Sequence, residues 1–205
     1  MSERRPLNSP ATVQLSCRAA ARVAIVSDTH GYLDARVAEV VASCDCAVHA
    51  GDVGSAGVLA ALQPGMETVV AILGNNDVAD KWSVDEWAIL SALPAEARLE
   101  LTGGQLVVVH GHKAGAATGR HAWLRARYPD ARGVVYGHSH RLVCDQTASP
   151  WIINPGCAGR ARTFGGPSCL VLSVGGGDWS VEPIRFAPLT ATTRRRAPRA
   201  RQRTT

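Results

Sequence analysis

The sequence predicts a single α/β domain made of two packed sheets with helices outside them. Three observations lead there. The chain has 205 residues, enough for one domain with a sizeable core and too few for two ordinary ones. Residues 22–73 alternate short apolar runs with segments of helical period, the grammar of strand–helix–strand–helix–strand. Beyond residue 96 the chain becomes mostly short strands separated by Gly and Pro, and no internal repeat is visible.

Arg22–Ser27 (RVAIVS) is almost continuously apolar, the pattern of a strand buried on both faces. In Asp34–Ala42, Val37, Val40 and Val41 fall on one side, which predicts a helix packed back over that strand. Cys46–Ala50 reads as a second strand, Ser55–Leu62 as a short helix capped by Ser55, and Thr68–Leu73 as a third buried strand. This order implies right-handed crossovers and a mainly parallel sheet. Asp77–Leu93, which holds Trp82 and Trp87, reads as a loop with one helical piece. Ala97–Leu101 and Gln105–Val109 flank Thr102-Gly103-Gly104, a hairpin signature. Thr118–Arg127 predicts a helix and Gly133–Tyr136 a strand. Leu142–Asp145, Trp151–Ile153, Cys169–Val174 and Trp179–Phe186 supply the remaining strands, the last two joined through Gly175-Gly176-Gly177-Asp178.

Charge is unevenly spread. The formal net charge is +5, yet residues 190–205 hold six arginines and no acid, and residues 1–20 hold three arginines and one glutamate. Residues 21–189, the expected domain, therefore carry a net −3. Residues 1–20 are expected to be a flexible leader, and residues 190–205 a disordered Arg-rich tail with the charge for weak contact with nucleic acid or another anionic surface. Six cysteines occur singly or as one C-x-C, which does not resemble a secreted disulfide framework. Cys46 and Cys169 lie in apolar runs, where a reduced core thiol is expected. With no signal-like h-region and no apolar window long enough to span a membrane, a cytoplasmic location is expected.

The polar residues carry the functional argument. Asp28 and His30 follow the first apolar run, Asp52 the second, and Asn75 and Asp77 the third. His110 and His112 follow LVVV, and His138 and His140 follow GVVY. The carboxyl ends of strands in such sheets converge on one crevice, so five strand ends bearing Asp, Asn or His predict a metal cluster. A lone D-x-H or Gly-Asp is weak evidence; the ordered series is much stronger. Oxygen donors mixed with imidazoles suit Mn, Zn, Fe or Ni better than Ca or Mg. Of the remaining histidines, His49 is expected in the core and His121 on a solvent-facing helix surface.

The series D-x-H, G-D, G-N-x-D, H and G-H-x-H resembles the calcineurin-like metallophosphoesterases, most nearly the small YfcE-type bacterial and archaeal phosphodiesterases. The resemblance runs from Asp28 to His140, and Asn154-Pro155-Gly156 also resembles the N-P-G-S stretch of that subfamily, with Cys157 in place of serine. It implies a four-layer helix–sheet–sheet–helix sandwich holding two divalent ions. Asp28, His30 and His140 would bind one ion, Asn75, His110 and His138 the other, and Asp52 would bridge them. A hydroxide shared by the metals would attack the phosphorus of a small phosphoester in line, with Asp77 orienting the site from outside the metal sphere. Many relatives have G-N-H-[DE], where the histidine helps protonate the leaving group. Here that position is Asn76, whose amide cannot be an acid near neutral pH. The substitution disfavours protein phosphatase activity and points to leaving groups needing little protonation, or to His112 as donor. A phosphomonoesterase, a nucleotide pyrophosphohydrolase and a non-catalytic interaction scaffold on the same fold are the alternatives.

Overall fold

The computed structural model describes residues 11–14 and 20–189, with side chains from residue 20 onward. The Arg-rich tail and the rest of the expected leader lie outside the described residues. In chain order the strands are β1 (Ala11–Gln14), β2 (Ala20–Val26), β3 (Cys46–His49), β4 (Thr68–Ala71), β5 (Glu96–Leu101) and β6 (Gly104–Val109). They continue as β7 (Gly133–Tyr136), β8 (Leu142–Asp145), β9 (Trp151–Pro155), β10 (Ser168–Gly175) and β11 (Asp178–Arg185). The helices are α1 (Ala35–Ala42), α2 (Ala56–Ala61), α3 (Trp87–Ala92) and α4 (Arg120–Arg127).

One sheet has the order β11-β10-β2-β3-β4, and its β2, β3 and β4 are parallel as the apolar runs require. The other has the order β1-β5-β6-β7-β9-β8, with β6, β7 and β9 parallel and β5–β6 a hairpin. Ile25 and Val48 from the first sheet, with Ile72 just past β4, meet Leu99, Leu106 and Val108 from the second in a central core. Complete burial of a Val, Leu or Ile side chain stabilises the fold by roughly 1.5–3 kcal/mol, and all six of these are fully buried. Val37 and Val41 of α1 cover the outer face of β2 and β10, while Leu124 of α4 covers Val107, Val134 and Ile152. The result is the four-layer helix–sheet–sheet–helix sandwich.

Three details differ from the sequence reading. Ala11–Gln14, inside the expected leader, is a strand in parallel register with Ala97–Glu100, because β5 otherwise leaves an open ladder at the sheet edge. Ser55 stands at the start of α2 but makes no side-chain cap; Glu86 Oε1, from a later segment, accepts the Ala56 N–H at 2.8 Å. The Asp77–Leu93 segment holds two 3-10 turns, Ala79–Lys81 and Val84–Glu86, before α3. Asp34 does cap α1, accepting the Arg36 N–H at 3.0 Å.

Candidate metal centre

The loops after β2, β3, β4, β6 and β7 meet at one end of the sandwich and bring their polar residues together. Backbone strain marks the place. Among the described residues eight non-glycines have positive φ, and five are Asp28 (56°), His30 (47°), Asp52 (57°), His138 (64°) and His140 (57°). The left-handed region disfavours most L-residues, so its concentration here argues for a functional constraint. Neighbouring glycines are needed for closeness: a Cβ on Gly74 would lie 2.1 Å from Asp52 Oδ1, and one on Gly137 2.1 Å from Ser27 Oγ.

Two groups of donors are spaced to share an ion, Asp28 with His30 and His140, and Asp28 with Asp52 and His110. His140 Nε2 is 3.2 Å from Asp28 Oδ1, and 3.2 Å from His30 Nε2. His110 Nε2 is 3.4 Å from Asp52 Oδ2 and 3.1 Å from Asn75 Oδ1, which also lies 2.9 Å from His138 Nδ1. Asp52 Oδ2 is 3.8 Å from His30 Nε2 as well, so this carboxylate sits between the two sets. All seven residues of the expected ligand set are thus brought together.

Their chemistry fits a cation. Asp28 is fully buried, and neither of its oxygens has a hydrogen-bond partner. Burial pushes its carboxyl up to about 7, a cost that a bound cation would remove. His110 Nδ1 faces Ala50 O at 2.8 Å and His140 Nδ1 faces Ala161 O at 3.2 Å. Each Nδ1–H therefore donates to a carbonyl, leaving the Nε2 lone pair aimed inward, the arrangement of a metal-ligating imidazole. Burial lowers His140 to about 4, which keeps it neutral near pH 7. Burial also works to raise Asp52, but His110 and two donors from Asn76 outweigh it and hold the carboxylate well below its usual range. Those donors are Asn76 N, at 2.8 Å from Oδ1, and Asn76 Nδ2, at 2.7 Å from Oδ2.

A cationic group already stands at the first set. Arg162 Nη2 donates to His140 Nε2 at 2.9 Å and lies 3.5 Å from His30 Nε2. Sequence reasoning missed Arg162, which follows Cys157 on a loop with no periodic signal. Lys81 was missed too; its ammonium donates to Asn76 Oδ1 beside Asp52. Cys157 Sγ, at the serine position of the subfamily, donates to Asp28 O at 3.0 Å, and burial pushes the thiol up to about 12. The five described cysteines are free.

Asp77 lies beside the centre, in the lining of the cavity that holds His30 and Asp52, but its oxygens are taken up by N–H groups. Its Oδ2 accepts the N–H groups of Val53 (3.1 Å) and Gly74 (2.8 Å), and its Oδ1 those of Gly54 (2.9 Å) and Trp82 Nε1 (3.2 Å). It ties the loop bearing Asp52 to the loop bearing Asn75, a positioning role rather than a catalytic one. Asp77→Ala leaves several buried donors unmet, each worth about 1–3 kcal/mol. Urea denaturation should show a loss of at least about 3 kcal/mol, and metal titration a 10–100-fold weaker affinity, about the effect of losing an orienting partner.

His112 is exposed beside the centre, its ring 5.6 Å from that of His110 and 6.3 Å from that of His138. His49 is fully buried, as expected. Its Nε2 is 2.8 Å from Thr29 Oγ1, which donates its own proton to Val53 O at 2.9 Å. His49 Nε2–H must therefore be the donor in that pair. Burial lowers its ring to about 3. His121 is not simply solvent-facing: its Nδ1 is 2.9 Å from Asp145 Oδ2 and its Nε2 3.1 Å from Tyr136 Oη, because α4 turns that side toward β7 and β8.

The family model of the calcineurin-like phosphoesterase superfamily domain matches residues 22–177. The chain belongs to that superfamily. Solved structures share the fold of this chain at low sequence identity. Vacuolar Protein Sorting 29 from Cryptosporidium parvum aligns with TM-score 0.64 and 19% identity over 82% of this chain and 98% of its own. A predicted phosphoesterase from Streptococcus pneumoniae gives 0.57 and 19% over 85% and 95%. A structure described as a novel archaeal phosphodiesterase gives 0.57 and 22% over 80% and 99%. No curated protein sequence matches the chain. Among the described residues no helix is long and apolar enough to cross a membrane.

Proposed function

We propose that this phosphoesterase hydrolyses small phosphodiesters in the cytoplasm with two divalent cations. Asp28, His30 and His140 would hold one, Asn75, His110 and His138 the other, and Asp52, placed between the two sets, would serve both. The observation that best supports the reading is the fully buried Asp28 carboxylate with two unpartnered oxygens, facing inward-pointing imidazole nitrogens. Such a group is stable only with a proton or a cation. Cations held there would lower the pKa of a bound water towards ~7 and offset negative charge on the phosphoryl oxygens. The mixed donor set favours Mn, Zn, Fe or Ni.

The chain's own groups do the rest. Asn76 fixes Asp52 through two hydrogen bonds, and the Ala50 and Ala161 carbonyls fix the tautomers of His110 and His140. Arg162 and Lys81 stand on either side with cationic donors for phosphoryl oxygens. His112 is the imidazole in reach of a departing alkoxide. Burial lowers its pKa, so it is mostly neutral near pH 7 and a modest acid. Esters with good leaving groups are therefore the better substrates.

The test is turnover of bis(4-nitrophenyl) phosphate and 4-nitrophenyl phosphate by metal-stripped protein reloaded with each candidate ion. Metal-dependent hydrolysis, faster for the diester, is expected. Preference for the monoester would make the chain a phosphomonoesterase. Bound metal without turnover of either would make it an interaction scaffold.

A further inference from the structure

Beside the centre, a cavity of about 670 Å³ opens from His110 and His112 and runs toward α4. It is within the range of small-molecule sites and far larger than a phosphoryl group requires. Leu73 and Val109 give it an apolar floor. On the α4 side stand Trp123 and Arg127, one helical turn apart and therefore on one face. Trp123 remains 43% exposed, a large flat apolar residue left open next to a polar centre. Lys113, from the loop after β6, lines the same cavity.

The charges are selective. Glu96 is the one carboxylate in the lining, and it is already neutralised: Arg98 Nη2 lies 3.1 Å from Oε1 and Tyr128 Oη donates to Oε2 at 2.7 Å. Among the described residues neither Lys113 nor Arg127 has an ion-pair partner, and Arg127 rests its guanidinium 5.3 Å from the Tyr128 ring centroid. The cavity thus offers a flat aromatic face, a hydrophobic floor and two uncompensated cations.

We infer that this cavity receives a nucleotide as one arm of the phosphoester. The base lies against Trp123, and phosphate oxygens of that arm meet Lys113 and Arg127. The inference rests on the phosphoesterase reading for what happens at the centre, but the binding it describes does not need metal. Stacking of bases on aromatic rings tolerates any base, so the class is nucleotides in general. Cationic pairing with phosphate makes the affinity depend on salt.

The test is calorimetric titration of the full, metal-free chain with adenosine 5′-monophosphate, adenosine and inorganic phosphate. The monophosphate should bind at least about tenfold more tightly than either fragment. Trp123→Ala should weaken it on the order of tenfold or more, whereas Trp123→Phe, which keeps a ring, should retain much of the affinity. Lys113→Ala combined with Arg127→Ala should reduce monophosphate binding to the adenosine level and flatten its salt dependence. Inorganic phosphate binding as tightly as the nucleotide, or unchanged nucleotide binding in Trp123→Ala, would overturn the inference. Turnover of bis(4-nitrophenyl) phosphate by the same wild-type preparation keeps the two readings apart. Turnover without Trp123-dependent binding sinks the nucleotide site alone, and binding without turnover sinks the hydrolytic reading alone.

Discussion

Asp28→Asn should make the metal-free protein more stable at pH 8 and, in the same molecule, abolish the cation site beside His30 and His140. The two effects have one cause. An Asp carboxyl ordinarily ionises at 3.8, but burial holds Asp28 at about 7 in the fold. Between those values the unfolded chain has released a proton that the folded chain keeps. Stability of the metal-free fold therefore falls as pH rises from about 4 to about 7, by up to about 4 kcal/mol from this group. Below pH 4 both states are protonated and the penalty vanishes. Asparagine carries no charge and tolerates the left-handed backbone at this position. Allowing for an imperfectly paired buried amide, a gain on the order of 1–3 kcal/mol should appear in denaturant melts at pH 8. Added Mn or Zn should raise the melting temperature of wild type and leave the variant unmoved. A variant that melts lower than metal-free wild type at pH 8 would show that Asp28 is not a destabilising charge awaiting a cation.

Asp52→Ala should give the largest loss of activity. This carboxylate lies within 3.8 Å of His30 and 3.4 Å of His110, so its removal affects both donor sets at once. It also frees two Asn76 donors and takes from His110 the partner that, against burial, holds its pKa above the usual value. Loss of an orienting neighbour typically costs 10–100-fold in metal affinity or activity. Removal of a residue that contacts both sets should exceed about 100-fold in kcat/KM for bis(4-nitrophenyl) phosphate. Metal analysis of the same protein should show the ions depleted, with the circular dichroism of the sheets retained. Full turnover by metal-replete Asp52→Ala protein would contradict the assignment.

Much of this centre was legible in the sequence because strand ends are local features. An apolar run such as RVAIVS or TVVAIL declares a buried strand, and the polar residue after it must emerge at the sheet edge. Five such ends pointed to polar residues that the fold does bring together, while their division between two ions came only from the family resemblance. What escaped depends on contacts between distant segments. Glu86 caps α2 from thirty residues away, the separation of its partner Ala56. Arg162 reaches His140 from an irregular loop, and His121 looks exposed on a helix period until β8 brings Asp145 against it. Asp77 shares a tetrapeptide with Asn75, yet its side chain turns the other way to collect N–H groups. Ala11–Gln14 is too short to announce itself and pairs only because β5 offers an edge.

The left-handed backbone at five centre positions has a consequence for timing. Each such residue carries roughly 1–2 kcal/mol of steric cost relative to ordinary backbone, and the surrounding sheets impose it when the chain folds. An arriving ion would then meet ligand side chains already aimed, and the group left to move aside is Arg162, which holds the His140 Nε2 lone pair. The framework is assembled under tension in advance, so most of the cost of ordering these side chains falls on folding rather than on binding.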